Sequence, residues 1–397
     1  MKQGHRFILK MLLLCFATFQ HNANAHWDDA YNADESSLPA KTDWMNDIPD
    51  TTPLRELSIP GTRISDDDYF HKRYIEEMHQ VMSINNQING GIRFIEVRAQ
   101  LINSTISLSD PYDYYFQKKI QGRHSAMDSC GDPGIICKTY EYASKDLTGC
   151  KKTLTAIDGT LEYPYGSPLS CEYSLRNLLD TLRAFLSQHP SETILLKMGG
   201  GGDIHNNRSY DEILNQIIND YSDIIWAHDS DNPTLGDVRG EVVLINERSG
   251  GKSSGIPYSS FSVQPDFHMN TNWDLYHRWE LIKEKLNAAK DNKQFGIINY
   301  LTGWGGSFSY FVASGHSSPQ NGAPRLLTGK TTPGWNDDVD FPRVGCLGSL
   351  CSIAFEGTNI LTKEYLQKYH PTYAGIIVAD FPGSGLIQAV IDANQHK

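Results

Sequence analysis

Residues 87–99 read Q-I-N-G-G-I-R-F-I-E-V-R-A, and this stretch decides the fold prediction. From Phe94 onward the residues alternate, so a strand would place Phe94, Glu96 and Arg98 on one face and the apolar residues between them on the other. A carboxylate and a guanidinium then lie side by side at the carboxyl end of a strand. Arginine stays charged and offers a planar fork of donors, which suits an anionic phosphate. A structural ion pair at a strand end is the alternative interpretation of the same residues.

Strand patterns alternate with helical patterns along most of the chain. The predicted strands after residue 99 cover residues 193–198, 241–246, 261–264, 295–300 and 375–380. Predicted helices lie between them, as in residues 174–189 and 273–290. This alternation predicts an α/β protein with a parallel sheet, and the number of strands fits a (β/α) barrel. A doubly wound sheet is the alternative, but no G-x-G-x-x-G follows a predicted strand.

The amino terminus has the pattern of a secretory signal peptide. Lys2, Arg6 and Lys10 precede the apolar run 11–17, and Ala23 and Ala25 offer small residues for cleavage. We therefore predict a signal peptide over residues 1–25 and a single exported domain over residues 26–397. No later stretch is apolar enough to predict a membrane span. The formal net charge of −12 argues against nucleic acid as a partner.

Six of the seven cysteines lie outside the predicted signal peptide. An even number in an exported chain predicts up to three disulfides, and Cys346 with Cys351 forms a plausible close pair. A zinc site is the weaker interpretation, because no C-x-x-C motif repeats. Of the other four, Cys130, Cys137 and Cys150 fall in residues 100–170 and Cys171 directly follows them. Residues 100–170 lack sustained periodicity and are interpreted as a cysteine-rich insertion in the barrel.

In a barrel the chemistry lies at the carboxyl ends of the strands. The charged and polar residues found at the predicted strand ends, together with one histidine of the insertion, are Arg63, Glu96, Arg98, Lys197, Arg248, Asp266, Asn299, Asp380 and His124. Both signs of charge are present, and the set suits a phosphodiester or a sugar.

Several segments resemble the phosphatidylinositol-specific phospholipase C X-domain family, particularly its secreted bacterial members. They are L-S-I-P-G-T at 57–62, G-I-R-F-I-E-V-R at 91–98, F-L-S-Q-H-P-S-E-T-I at 185–194, V-V-L-I-N-E-R-S-G-G at 242–251, S-V-Q-P-D-F-H at 262–268 and A-D-F-P-G at 379–383. The resemblance runs from about Trp44 to Asn394 and keeps the order of the motifs. It implies a distorted (β/α)8 TIM barrel.

The resemblance also implies a reaction, a phosphoric diester cleavage of phosphatidylinositol to diacylglycerol and cyclic inositol phosphate. In the family one histidine is the general base, a second is the general acid, and an arginine stabilises the charge that gathers on the phosphate. Carried over by position, Arg98 is the phosphate-stabilising arginine and Glu96 replaces the usual aspartate beside it. Asp380 matches the aspartate that orients the first histidine, and His124 is the candidate for the second histidine.

The resemblance assigns a further group of residues to the inositol ring. These residues are Asp266, Phe267, His268, Lys197 and Arg248. Arg248 lies one residue from the family's arginine, and Lys197 lies two residues before the family's lysine. The resemblance implies no metal and no cofactor. It also implies phosphatidylinositol, or a related phospholipid at a membrane surface, as the partner of a secreted (extracellular or periplasmic) monomer.

One position departs from the family pattern. The family has His-Asp where this chain has Arg63-Ile64, and an arginine cannot act as a general base at neutral pH. Asp66, Asp67, Asp68 or His71 could substitute, although a solvated acidic turn is the simpler interpretation. The chain is therefore expected to be a phospholipase C-type enzyme or, alternatively, a catalytically impaired barrel that binds inositol phosphate or phospholipid head groups. A metal-dependent phosphodiesterase is the third hypothesis, and Arg98 beside the site disfavours it.

Overall fold

A computed structural model of the chain describes most of the barrel. The described residues are 29–33, 38–65, 78–102, 105–108, 138–143, 151–157, 160–162, 174–199, 208–228, 230, 232–247, 255–265, 268–291, 294–320 and 322–395. The predicted signal peptide and much of the predicted insertion lie outside these ranges.

The strands of the described ranges form one large parallel sheet and several small sheets. In chain order they are β1 (Ile59–Thr62), β2 (Phe94–Ile102), β3 (Thr105–Leu108), β4 (Lys138–Ala143), β5 (Lys151–Ile157), β6 (Thr160–Glu162), β7 (Ile194–Gly199), β8 (Ile225–Trp226), β9 (Val242–Asn246), β10 (Ile256–Pro257), β11 (Ser262–Gln264), β12 (His268–Met269), β13 (Ile297–Tyr300), β14 (Trp304–Gly305), β15 (Leu327–Thr331), β16 (Arg343–Leu347), β17 (Leu350–Ala354) and β18 (Ile376–Ala379). In the large sheet eight strands follow the order β10-β9-β7-β2-β1-β18-β13-β11. All of these neighbours are parallel. The α/β barrel architecture predicted from the sequence is confirmed.

Helices lie between the parallel strands, as a βα repeat requires. The α-helices of the described ranges are α1 (Ile84–Asn89), α2 (Leu175–Gln188), α3 (Arg208–Asp220), α4 (Leu235–Val238), α5 (Leu275–Lys290), α6 (Ser309–Ser314), α7 (Thr358–Tyr369) and α8 (Ser384–Asp392). Helix α2 begins with a capping box, in which the side chains of Ser174 and Asn177 each accept a hydrogen bond from the other's backbone N–H. Its leucines and Phe185 recur at helical spacing and are buried against the sheet.

The alternation in β2 separates the two faces of the sheet as predicted. Phe94 packs inside the barrel with Ile59, Leu195 and Val378. Ile95 and its outward neighbours pack against α2 and the other helices. The inward face is therefore the one that carries Glu96 toward the carboxyl end.

The glycine of the P-G-T segment has a packing role. A Cβ atom built on Gly61 would lie 2.9 Å from the Cβ of Phe94. Strands β1 and β2 therefore approach each other more closely at this point than a larger residue would allow.

At the amino-terminal end of the barrel a buried ion pair joins two strands. The Nε of Arg93 donates to Glu192 Oε2 at 2.9 Å, and both side chains are fully buried. The remaining guanidinium nitrogens donate to backbone carbonyls, including those of Ile88 (2.6 Å) and Thr42 (2.7 Å). Burial raises the pKa of Glu192 and lowers that of Arg93, and their mutual attraction opposes both shifts. This pair is a structural element, because every charged group in it is already bonded within the scaffold.

A histidine–aspartate pair lies at the same end. His189 follows α2, and its Nδ1 lies 2.8 Å from Asp43 Oδ1. The ring also packs on Phe185, with centroids 4.6 Å apart.

Small antiparallel sheets lie outside the large parallel sheet. Strands β4, β5 and β6 pair within the predicted insertion. Strands β15, β17 and β16 form a second sheet between α6 and α7. The disulfide Cys346–Cys351 joins β16 to β17, which confirms the predicted close pair. No helix of the described ranges combines the length and apolar character needed to cross a bilayer.

Candidate active site

Four strands that are neighbours in the sheet bring several of the predicted charged residues to one edge. Arg63 follows β1, Glu96 and Arg98 lie in β2, Lys197 lies in β7 and Asp380 follows β18. The order β7-β2-β1-β18 makes these strands neighbours, and parallel neighbours present their carboxyl ends on the same side. Residues separated by hundreds of positions in the chain thus share one face of the barrel.

Glu96 lies between positive groups at this face. Glu96 is the direct register partner of Lys197, whose Nζ lies 3.4 Å from Glu96 Oε2 and 2.7 Å from Glu247 Oε1. Burial acts to raise the pKa of Glu96, but the charges of Lys197 and Arg63 and a hydrogen bond from Tyr300 outweigh it, so the pKa is lowered. Glu96 is therefore a carboxylate at neutral pH.

Lys197 is held in its charged form by the same contacts. Burial acts to lower its pKa, but the charges of Glu96 and Glu247 outweigh burial, so the pKa is raised. The ammonium also lies 4.7 Å from the ring centroid of Tyr258. The lysine predicted to contact the inositol ring is thus already bonded to two carboxylates.

Tyr300 supplies a neutral hydroxyl to this cluster. The hydroxyl group donates to Glu96 Oε2. Burial, reinforced by the charge of Glu96, raises the pKa of Tyr300 well above its ordinary value. The group therefore keeps its proton and acts as a fixed donor.

Asp380 contacts a histidine that the sequence interpretation did not select. Its Oδ1 lies 3.0 Å from Nδ1 of His79, and the carboxylate is buried. The hydroxyl of Ser309, in α6, lies 3.1 Å from the same ring nitrogen. A carboxylate can only accept, so Nδ1 carries the hydrogen and Nε2 is the basic nitrogen of the ring. His79 is a single histidine in E-E-M-H-Q, and no local pattern distinguishes it from a surface histidine.

The loop after β1 is fixed by hydrogen bonds to β2. The N–H of Ser65 donates to the carbonyl of Glu96 at 2.8 Å, and the N–H of Glu96 donates to the hydroxyl of Ser65 at 3.2 Å. The side chain of Gln87 binds Thr62 and the carbonyl of Ser65. Arg63, which is buried, therefore lies in a rigid loop beside Glu96.

The remaining predicted site residues differ in where they lie. Arg98 is half-buried at the last position of β2 that pairs with β7, where its register partner is Gly199. His268 is exposed on β12, with its ring centroid 5.0 Å from that of Trp304. The amide of Asn299 donates to the carbonyl of Ile282 in α5, so this side chain faces a helix and not the site.

Several predicted residues lie outside the described ranges. These are the site candidates His124, Arg248, Asp266 and Phe267, and the alternative bases Asp66, Asp67, Asp68 and His71. Within the ranges that are described, no cluster of three or more His, Cys, Asp or Glu side chains is arranged to hold a metal ion.

Comparison with known proteins gives similar proteins with one shared name. The chain is 26% identical over 313 residues to the 1-phosphatidylinositol phosphodiesterase of Listeria monocytogenes, a match that covers 74% of this chain and 79% of the relative. It is 20% identical over 340 residues to the 1-phosphatidylinositol phosphodiesterase of Staphylococcus aureus strain Newman, covering 78% of this chain and 91% of the relative. The chain matches no protein-family model.

Solved structures give the same result for the fold. The phosphatidylinositol-specific phospholipase C of Listeria monocytogenes superposes with a TM-score of 0.53 and 19% identity, covering 90% of this chain and 99% of that one. A Staphylococcus aureus phosphatidylinositol-specific phospholipase C superposes with a TM-score of 0.53 and 16% identity, with the same coverage of both chains. The resemblance inferred from the sequence motifs is thus confirmed: the chain is related to 1-phosphatidylinositol phosphodiesterases and has the fold of phosphatidylinositol-specific phospholipase C.

Proposed function

We propose that the chain is an exported phosphodiesterase of the phosphatidylinositol-specific phospholipase C type. The observation that carries the proposal is the pairing of His79 with Asp380 at the carboxyl face, beside Arg63, on a barrel whose relatives are 1-phosphatidylinositol phosphodiesterases. A buried aspartate that orients an imidazole is a recurrent device for general acid–base catalysis.

The charges at the carboxyl face support an anionic substrate. Arg63 and Lys197 both act on Glu96 and lower its pKa. Arg98 adds another cation two residues after Glu96 on the same strand. Fixed donors and cations that face a phosphate stabilise the charge that develops on its oxygens in the transition state.

The reaction that the resemblance implies needs no water in its first step. The inositol 2-hydroxyl attacks phosphorus, diacylglycerol leaves and a cyclic inositol phosphate forms. In this proposal Arg98 stabilises the phosphate and His124 protonates the leaving oxygen. Asp266, Phe267, His268 and Arg248 hold the inositol ring, and Lys197 fixes Glu96 beside it.

The partner and the location follow from the same proposal. The partner is phosphatidylinositol or a related phospholipid at a membrane surface, met by a monomer. Exposed apolar side chains on β16 and β17, Leu347 and Leu350, offer contacts for a lipid surface. The disulfide Cys346–Cys351 fits an oxidising compartment, which agrees with the predicted signal peptide.

The test is the reaction itself. Mature protein is incubated with phosphatidylinositol in mixed micelles, with and without a chelator, and diacylglycerol and cyclic inositol phosphate are measured. We expect both products to appear at equal rates in the two conditions. Phosphatidylcholine micelles are the control substrate. Failure to release either product from phosphatidylinositol at high protein concentration would reject the proposal.

A matched pair of variants tests the role of the phosphate cation. Arg98→Met should lower the rate about 100-fold or more, by analogy with loss of one charged or donor group at a developing oxyanion. Arg176→Met, on the outer surface of α2, removes an arginine from the exposed pair with Asp220 and should leave the rate unchanged. Equal rates for the two variants would exclude Arg98 from the reaction.

Arg63 supports a second candidate function, a binder of inositol phosphate or phospholipid head groups. This arginine is buried at the position where the family has its first histidine, and an additional cation would strengthen ground-state binding without promoting reaction. Equilibrium binding of inositol phosphate by a chain that releases no product would identify this function.

A further inference from the structure

The histidine that meets Asp380 comes from an unexpected place in the chain. The resemblance puts the first histidine of the family at position 63, directly after β1, where this chain has arginine. The aspartate at the end of β18 is nevertheless paired with an imidazole, with Nδ1 of His79 at 3.0 Å. His79 belongs to the connection that leads from β1 to α1, sixteen positions after Arg63.

Three hydrogen bonds hold the segment around His79 across the ends of β1 and β18. The N–H of Phe381 donates to the carbonyl of His79 at 3.0 Å, which joins the histidine to the residue after Asp380. The side-chain amide of Gln80, which is fully buried, donates to the carbonyls of Arg63 and Ala379, each at 3.1 Å. The position of the imidazole over Asp380 is therefore determined by the barrel and not by a loose loop.

The backbone beside the pair is strained at both strand ends. Among the described non-glycine residues, only Ile64, His370 and Phe381 have left-handed φ angles, and two of these directly follow Arg63 and Asp380. Ile64 has φ 46° and Phe381 has φ 47°, and both side chains are buried. Such conformations cost free energy for β-branched and bulky residues, and they concentrate at sites where the surrounding structure fixes a functional geometry.

We propose that His79 is the general base of this chain and that Arg63 is a phosphate-binding cation in place of the base. This inference rests on the proposed function and assigns the proton acceptor within it. Asp380 is a positioning residue: it holds Nδ1–H and leaves Nε2 to accept the proton. Arg63 stays charged and cannot accept a proton, but it can hold a non-bridging phosphate oxygen.

The step balances with groups of the chain. The proton of the inositol 2-hydroxyl passes to Nε2 of His79 while the oxygen forms a bond to phosphorus. The bond from phosphorus to the glycerol oxygen breaks, and that oxygen takes one proton, either from water or from His124, which then regains a proton from solvent. The imidazolium of His79 then returns its proton to solvent, and the charge on the enzyme is restored.

The first experiment compares two histidines in similar pairs. His79→Ala should lower kcat on phosphatidylinositol by about 100-fold to 10,000-fold with KM nearly unchanged, the range for loss of a general base. His189→Ala removes the histidine that pairs with Asp43 at the opposite end of the barrel and should leave kcat unchanged. Added imidazole should restore part of the activity of His79→Ala, which a purely structural defect would not allow. A kcat of His79→Ala within about threefold of the unsubstituted protein would overturn the inference.

A second variant keeps the inference testable if His79→Ala does not fold. Arg63→His places a histidine at the family position and removes the proposed phosphate cation. We expect its rate to fall at least tenfold, because the base is already present at residue 79. A rise in rate would show that position 63 lacks the base and would overturn the inference.

Different results would reject the proposed phosphodiesterase function and the assignment of His79 as the base. An unsubstituted protein that releases no product from phosphatidylinositol rejects the proposed function and removes the basis of the inference. An active unsubstituted protein with an unaffected His79→Ala variant rejects only the assignment of the base.

Discussion

The two ends of the barrel contain similar ionic groups in different electrostatic surroundings. At the amino end Glu192 pairs with one arginine, and burial raises its pKa. At the carboxyl end the side chain of Glu96 is 13% exposed, Lys197, Arg63 and a tyrosine hydroxyl surround it, and its pKa is lowered. The amino end is thus balanced in charge and complete in hydrogen bonds. At the carboxyl end two cations, Lys197 and Arg63, act on the one carboxylate of Glu96.

The two ends of the barrel also differ in how exposed their histidine–aspartate pairs are. His189 and Asp43 lie at the surface, and the aspartate is exposed. His79 and Asp380 are enclosed, and the carboxylate is 1% exposed. Exposed pairs contribute little to stability, whereas a buried aspartate can fix the tautomer and orientation of its histidine. Substitution of the surface pair should therefore change little, whereas substitution of His79 or Asp380 should change activity.

The largest expected effect is loss of stability at the amino end. Glu192→Gln leaves Arg93 as a buried charge without a carboxylate, so the free energy of unfolding should fall by about 3–5 kcal/mol. Denaturant unfolding measures the change. Asp220→Asn, which breaks the exposed pair with Arg176, is the control and should cost less than about 1 kcal/mol. Similar losses in the two variants would show that burial does not determine how much an ion pair contributes to the free energy of unfolding.

The second effect is loss of activity at the carboxyl end. Asp380→Asn preserves the shape of the side chain but removes the carboxylate that fixes the histidine tautomer, so kcat on phosphatidylinositol should fall about 100-fold. Initial rates and thermal unfolding are measured on the same preparation. A variant that loses stability but keeps its kcat would show that Asp380 has a structural role, like that of Glu192 at the amino end.

The third effect is a pH dependence of stability from Glu96. Its pKa is lower in the folded chain than the ordinary value of 4.5, so its stabilising contribution is present above pH 4.5 and is lost as the pH falls through the folded-state value. Glu96→Gln should therefore lower the free energy of unfolding by about 2 kcal/mol at neutral pH, the contribution of a charged hydrogen bond. The difference between the two proteins should shrink below pH 4.5. A difference that grows in acid would contradict the lowered pKa.

The smallest effect is expected at the exposed pair of the amino end. His189→Asn should change the free energy of unfolding by less than about 1 kcal/mol, because Asp43 remains solvated without its partner. Thermal unfolding detects the change. A large loss would show that this pair, unlike other exposed pairs, is coupled to the buried clamp formed by Arg93 and Glu192.

The fold was predictable because it depends on patterns that repeat along the chain. Alternation in 94–99 and helical spacing in 174–189 reflect burial on one side of an element, which sequence displays directly. The strand-end positions of Glu96, Lys197 and Asp380 follow from the same patterns. The contact between Cys346 and Cys351 was predictable because only four residues separate them.

The partner of Asp380 was not predictable in the same way. His79 and Asp380 are 301 positions apart, and the contact depends on how Gln80 and Phe381 fix the connection after β1. No periodicity records such a contact. The sequence interpretation searched for a replacement base among Asp66, Asp67, Asp68 and His71, because these follow Arg63 most closely. Those four residues lie outside the described ranges, and the histidine that contacts Asp380 lies farther along the same connection.

The buried clamp at the amino end has a consequence for how such chains are recognised. The segment 185–194 supplies Phe185, which lies under the guanidinium of Arg93 at 4.7 Å, and Glu192, which binds it. Arg93 itself belongs to the segment 91–98. Much of the sequence similarity therefore reflects contacts that stabilise the barrel. It would persist if a different residue became the general base. Relatives found through these segments can differ in which residue is the general base. That residue has to be identified in each chain by substitutions at the carboxyl end of the barrel.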